Sequence, residues 1–288
     1  RRAHGLCALT GQYFDRAFAK RRSPCASRAL GVDGKCWSLV KATLLSVSLV
    51  AFIAAGPAQA ETCRQALALG LDVSGSVDAS EWQLQIEGLA RALAAPEVTR
   101  AFLAVEGAPV WITIYEWAGD ASPRDLVPWA AIRSQDDLQE VQRKLRSLTR
   151  VAHGPGTAMG EGIRFGGARL SERPGCWRYT LDISADGRSN MGPRPERVRF
   201  EPNLSDVTIN GLIVSTGSDT ANAAAIEREL DGLERYFRGA VIKGYGAFVE
   251  RSGSYQDYEH AMTRKLLKEL QTLAIGWLDD RPKETAQN

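Results

Sequence analysis

Residues 66–78 read Ala-Leu-Ala-Leu-Gly-Leu-Asp-Val-Ser-Gly-Ser-Val-Asp. Ala66 to Leu71 is a short continuous apolar run, the pattern of a strand covered on both faces. It ends on one carboxylate and two hydroxyls at alternate positions, Asp72, Ser74 and Ser76, around Gly75, which permits a tight turn. Asp78 then opens a helix, with Glu81 three residues on in a capping-box arrangement. Trp82, Ile86, Leu89 and Leu93 follow on one helical face, and Pro96 stops the pattern. A buried strand, a polar turn and an amphipathic helix, in that order, make the opening of an α/β unit.

The rest of the chain continues the alternation. Val110 to Trp117 is β-branched and aromatic and predicts a strand, and Trp82, Trp111 and Trp117 read as core or half-buried strand residues rather than ligand platforms. Val127 to Ile132, containing Trp129, reads as a loop. Ser134 caps a second helix with Leu138, Val141, Leu145 and Leu148 on one face. Thr157 to Leu170 is a third helix, weakened by Gly160, Gly162, Gly166 and Gly167. Trp177–Ile183 and Val207–Val214 are strands, and Ile226, Leu230, Leu233 and Phe237 mark another helix. Gly246 to Glu250 is a last strand, before a helix from about Tyr255 to Leu273 in which His260 has a structural role. The fold class expected is α/β: a doubly wound, mainly parallel central sheet, Rossmann-like, with helices on both faces.

Of 288 residues, 44% are hydrophobic and 24% charged, ordinary globular values that exclude a disordered or polytopic membrane chain. The net charge of +2 hides an asymmetry. Residues 1–60 hold 9 of the 36 Lys and Arg but 2 of the 34 Asp and Glu, so residues 61–288 carry a net −5. That balance argues against a nucleic acid partner, which needs basic surface. Ala42 to Gly56 is uncharged and apolar, shorter than a membrane span, preceded by Lys35 and Lys41 and followed by Ala58-Gln59-Ala60. Residues 41–60 therefore read as a secretory signal peptide cleaved near Ala60, which places the product in the periplasm or outside the cell. Residues 1–40 begin with Arg and show no usable hydrophobic period before that segment, as an over-extended leader would. The domain is expected over 61–278, with no transmembrane segment, and 279–288 form a polar tail. Cys63 and Cys176, the cysteines of the exported part, are either a disulfide, which an oxidising compartment permits, or two separate buried thiols.

Three loops carry oxygen donors. The first is Asp72-Val73-Ser74-Gly75-Ser76; the second, His153-Gly154-Pro155-Gly156-Thr157, brings a threonine hydroxyl to a helix start. The third, Ser184-Ala185-Asp186-Gly187, lies just beyond a strand. Each has a structural alternative: serines satisfying turn amides, Thr157 as an N-cap, Asp186-Gly187 as a plain turn. Taken together, on one rim of one sheet, Asp72, Ser74, Ser76, Thr157 and Asp186 form a hard-oxygen ligand set suited to Mg²⁺ first, and to Mn²⁺ or Ca²⁺. Asp182, four residues before Asp186 and inside the strand run, is instead expected to be a buried, hydrogen-bonded structural acid.

Asp72-x-Ser74-x-Ser76, Thr157 in its Gly-rich loop and Asp186-Gly187 resemble the metal-ion-dependent adhesion site of von Willebrand factor A (vWA) domains, over a stretch from about Ala66 to Leu273. LDVSGSVD, ITIYEWAG with the later VPW, TINGLIV and VIKGYGAFVE resemble more closely a family of exported bacterial A-type domains of unknown function. The resemblance implies that Ser74, Ser76 and Thr157 touch the ion directly, with Asp72 and Asp186 acting directly or through water. It also implies a protein partner whose acidic side chain fills the remaining position.

The expected function is thus binding of a protein through a divalent ion. A structural scaffold with a vestigial metal site is the first alternative and a metal-dependent hydrolase the second. No catalysis is expected: Ala158 stands where a subtilisin-like serine would be needed, Ser74 where a phosphotransferase would need a second acid, and P-loop and HExxH motifs are absent.

Overall fold

A computed structural model describes residues 62–119, 123–151, 154–217 and 222–279. The leader, the signal segment, His153 and residues 280–288 of the tail lie outside the described residues.

Six strands form one sheet in the order β3-β2-β1-β4-β5-β6. They are β1 (Gln65–Asp72), β2 (Val110–Trp117), β3 (Arg124–Ile132), β4 (Tyr179–Ala185), β5 (Val207–Val214) and β6 (Val249–Ser252). All neighbours are parallel except β2 and β3. The helices are α1 (Ala79–Ala94), α2 (Pro96–Phe102), α3 (Gln135–Arg146), α4 (Met159–Ser171), α5 (Pro195–Val198), α6 (Ala223–Tyr236) and α7 (Tyr258–Asp279). The expected doubly wound α/β class is what the structure shows.

The chain leaves β1 to one side for β2 and returns to the other side for β4, so a topological switch point lies between β1 and β4. The alternation of β1 sorts its residues into two layers. Leu67, Leu69 and Leu71 join a core shared with α1, α3 and α7, and Ala66 and Ala68 join another with α4 and α6. Every residue of β1 is buried, as its unbroken apolar pattern requires.

The glycines that weaken α4 by propensity are what seat it. A Cβ on Gly166 would lie 2.5 Å from the Tyr115 hydroxyl, and one on Gly162 2.8 Å from the Trp117 indole. Small residues on that face let two large β2 side chains fill the interlayer space, and Tyr115 donates to the Gly162 carbonyl at 2.7 Å.

Two expectations need correction. Val127–Ile132 is not a loop but the greater part of β3, an antiparallel edge strand. Pro128 is tolerated there because an edge strand pairs on one side only, and the register shifts opposite it, between Ile112 and Tyr115. The α1 pattern stops at Ala94, before Pro96 as expected, and Pro96 opens the short α2 as its first residue, where its missing N–H costs nothing. His260 is exposed on α7 rather than part of the packing. As expected, Trp82 and Trp117 are core residues and Trp111 is half-buried, with the Arg173 guanidinium 3.2 Å from its ring centre.

Candidate metal centre

β1 delivers Asp72 as its last residue, and the chain turns at once through Ser74–Val77, closed by Val77 N–H donating to the Ser74 carbonyl at 2.9 Å. The turn hands over to α1, where Asp78 accepts from the Ser80 and Glu81 amides while Glu81 accepts from the Asp78 amide at 2.8 Å. This capped start fixes where the serines stand. Gly75 is required by close approach: a Cβ there would lie 2.9 Å from the Pro155 backbone in the second loop.

The second loop is held by the third. Thr157 N–H donates to Asn190 Oδ1 at 2.9 Å, while its carbonyl accepts from the Asn190 amide at 3.0 Å and the Ser189 hydroxyl at 3.1 Å. Thr157 is not the helix N-cap; Ala158 occupies that position and offers no side-chain cap. The threonine hydroxyl is therefore free of capping and turns into the site.

All five residues expected at the rim are brought together. Thr157 Oγ1 donates to Ser74 Oγ at 3.2 Å, Ser74 Oγ lies 3.3 Å from Ser76 Oγ, and Ser76 Oγ donates to Asp186 Oδ1 at 2.9 Å. Asp72 Oδ1 accepts from the Ser74 amide at 2.8 Å. Asp72 Oδ2 is buried without a hydrogen-bond partner. Asp72, Ser74, Thr157 and Asp186 are buried and Ser76 is exposed, so the cluster opens to solvent on the Ser76 side.

The electrostatics follow from two acids among neutral hydroxyls. Burial, then the Asp186 charge, push the Asp72 carboxyl up to about 8, against the pull of its bonds to Ser74. Burial also raises Asp186, with the Ser76 and Tyr255 hydroxyls pulling the other way. Among the described residues no Lys or Arg forms an ion pair with either acid. Two such carboxylates and an orphaned oxygen, beside three hydroxyls, fit a hard divalent cation: the donors are all oxygen, and a cation would relieve the charge that burial penalises.

Sequence reasoning missed three contributors. Tyr255 is buried and donates its hydroxyl to Asp186 Oδ2 at 3.3 Å. Ser189 and Asn190 position Thr157; they stand in the same DGRSN stretch that supplied Asp186, and their polarity so soon after a strand end was the available signal. Asp182 is the buried acid expected of it, 1% exposed and bonded to Lys265.

The position of these loops, at the carboxyl ends of β1 and β4 where the strand order reverses, is where open α/β sheets bind ligands. Residues 62–274 match a family described as Protein of unknown function (DUF1194). The chain belongs to that family. No curated protein matches this DUF1194 chain.

Among solved structures, proximal thread matrix protein 1 from the mussel byssus is 14% identical, with a TM-score of 0.50, covering 73% of this chain and 48% of its own. The same mussel protein with a zinc-occupied MIDAS motif is 15% identical at a TM-score of 0.48, with 72% and 46% covered. A von Willebrand factor type A structure from Catenulispora acidiphila is 12% identical at 0.43, with 72% and 43% covered. The DUF1194 chain thus spans about half the length of the mussel protein. The fold is vWA-like.

Proposed function

We propose that this protein is an exported binding module that captures an acidic side chain of a partner protein through a divalent ion, Mg²⁺ first among the candidates. One observation carries the reading: five oxygen-bearing side chains from three separate loops form a single hydrogen-bonded set around a buried Asp72 whose Oδ2 has no partner. Turns that merely satisfied their own amides would have no reason to join side chain to side chain across 83 and 110 residues of sequence.

In this reading Ser74, Ser76 and Thr157 fix the geometry, Asp72 and Asp186 supply the charge, and Tyr255 with Asn190 hold the acid and the threonine in place. The ion, when bound, supplies an electrophilic centre for a carboxylate. Two acids leave a divalent ion short of ligands in hand, which is what makes an acidic side chain from outside a fitting completion. No general base is assigned, and the role proposed is binding rather than catalysis.

Export is supported by the disulfide that joins Cys63 to Cys176, since such bonds persist in oxidising compartments. Among the described residues no helix is long and apolar enough to cross a membrane.

Calorimetric titration of Mg²⁺ and Mn²⁺ into chelator-treated protein, beside Asp72→Ala, tests the site. Saturable one-to-one binding that disappears in the variant is expected. An unchanged metal response in Asp72→Ala overturns the assignment. Turnover of generic ester or phosphoester substrates, lost with the metal, would replace the binding reading with a hydrolase.

A further inference from the structure

A second polar cluster lies under α7, away from the rim and unused by the metal reading. Leu181 and Ile183 of β4 face the α4 layer, so Asp182 between them points the opposite way, toward α7. There it meets Lys265 and Glu269, one helical turn apart. Lys265 is 0% exposed, Asp182 1% and Glu269 2%.

Lys265 Nζ donates to Asp182 Oδ1 and, at 2.9 Å, to Glu269 Oε1. Asn210 Nδ2 donates to the same Glu269 oxygen at 2.7 Å. The Phe248 ring centre lies 4.9 Å from Nζ. Asp182 Oδ2 and Glu269 Oε2 are buried with no hydrogen-bond partner.

A simple ion pair accounts for one acid, not two. Lys265 supplies the one ammonium hydrogen-bonded to both acids, while the Arg178 guanidinium acts on Glu269 from further off. Burial and the neighbouring Glu269 push Asp182 toward the neutral acid, while the two acids together hold the Lys265 ammonium against its own burial. The cluster therefore sets a carboxyl group pushed toward its neutral form against an ammonium, with Glu269 Oε1 2.9 Å from that ammonium as an acceptor for its proton. An amine and an acyl carbon held in this way react with a large proximity advantage.

We propose that Lys265 and Asp182 condense into an intramolecular isopeptide bond, with Glu269 as the proton acceptor. Glu269 takes one proton from the Lys265 ammonium, leaving the amine lone pair free to attack Asp182 Cγ. The N–C bond forms. As the tetrahedral centre collapses, the Asp182 hydroxyl departs with a proton relayed from Nζ through Glu269, and the C–O bond breaks. The products are one secondary amide, one water and Glu269 as the neutral acid; no oxidant or other reactant is consumed. The product holds no buried charge, and it ties β4 to α7 across 83 residues of sequence.

Intact-mass measurement of the full chain, reduced and denatured, tests this without any substitution. A mass lower than that of the same polypeptide by one water is expected, together with a branched peptide joining the Asp182 and Lys265 segments after digestion. Glu269→Gln keeps the acceptor for Asn210 but cannot take the proton, and it is expected to return the full mass and lose the branched peptide. Lys265→Arg is expected to do the same. A wild-type chain at full mass overturns the proposal. So does a water loss that persists in Lys265→Arg, which would mean cyclisation at Asp182 alone. If the variants do not fold, the wild-type peptide map decides.

Discussion

Asp72 with Asp186, and Asp182 with Glu269, are two pairs of acids withdrawn from water in one fold, and β4 contributes to both. The pair under α7 has its cation built into the chain, in Lys265. The pair at the rim has hydroxyls around it, no ion pair among the described residues, and an exposed Ser76 at its mouth. Burial disfavours the ionised form of Asp72 and Asp186 at the rim and of Asp182 under α7. The internal pair is closed by chemistry the sequence already owns, whereas the rim pair has no such partner among the described residues, which is the gap the proposed ion would fill. What sets the proposed binding site apart from the internal cluster is the missing counter-charge, not the number of acids.

Four measurements break or sharpen that contrast. The largest effect is expected under α7. Lys265→Met removes the amine that engages both acids, and with it the proposed amide, and should cost about 3–5 kcal/mol in denaturant unfolding, as leaving buried acids without their partner does. A variant as stable as the parent would mean that Lys265 is not what completes the internal acids. At the rim, Mg²⁺ at about 100 times its dissociation constant should stabilise the protein by about 2.7 kcal/mol. Asp72→Asn, which keeps an acceptor for the Ser74 amide, should abolish that gain without unfolding the chain.

The third measurement is the pH dependence of stability in chelator. The Asp72 carboxyl stands at about 8 in the folded protein against 3.8 as its ordinary value, so the folded state binds the proton first. Between those limits stability should fall as pH rises, by at most about 1.4 kcal/mol per unit, and Asp72→Asn should flatten the slope. A slope of opposite sign in the metal-free protein would show that Asp72 is charged and comfortable there, and the rim would then need no cation. The smallest effect is Tyr255→Phe, which removes a donor to Asp186 and should lower stability by about 1 kcal/mol while weakening, not abolishing, metal binding.

Much of this was legible in the chain before its structure. The apolar β1 and the capped α1 announce themselves locally, because periodicity and capping act over a few residues. So did the three rim loops, each of which carries its donors within five residues. What was hidden depends on distance or on the partner element. β3 carries Arg124, Asp125 and Pro128, and an edge strand need not be apolar on both faces, so its sequence lacks the buried-strand pattern. The α4 glycines read as helix weakness until Tyr115 and Trp117 are seen to fill the space they leave. Lys265 and Glu269 have the spacing of an ordinary exposed helical pair, and only Asp182, 83 residues away, shows that they are interior. Tyr255 gave no sign at all, since nothing around it in sequence marks contact with Asp186.

The two ends of the sheet have a consequence for how the molecule keeps company. At one end β3 presents an exposed proline, which has no amide hydrogen to offer, on a strand whose register is already broken. At the other end β6 pairs over four residues. Neither end is a template on which a neighbouring chain can extend the ladder. Self-association by strand addition is thereby discouraged at both margins of the sheet.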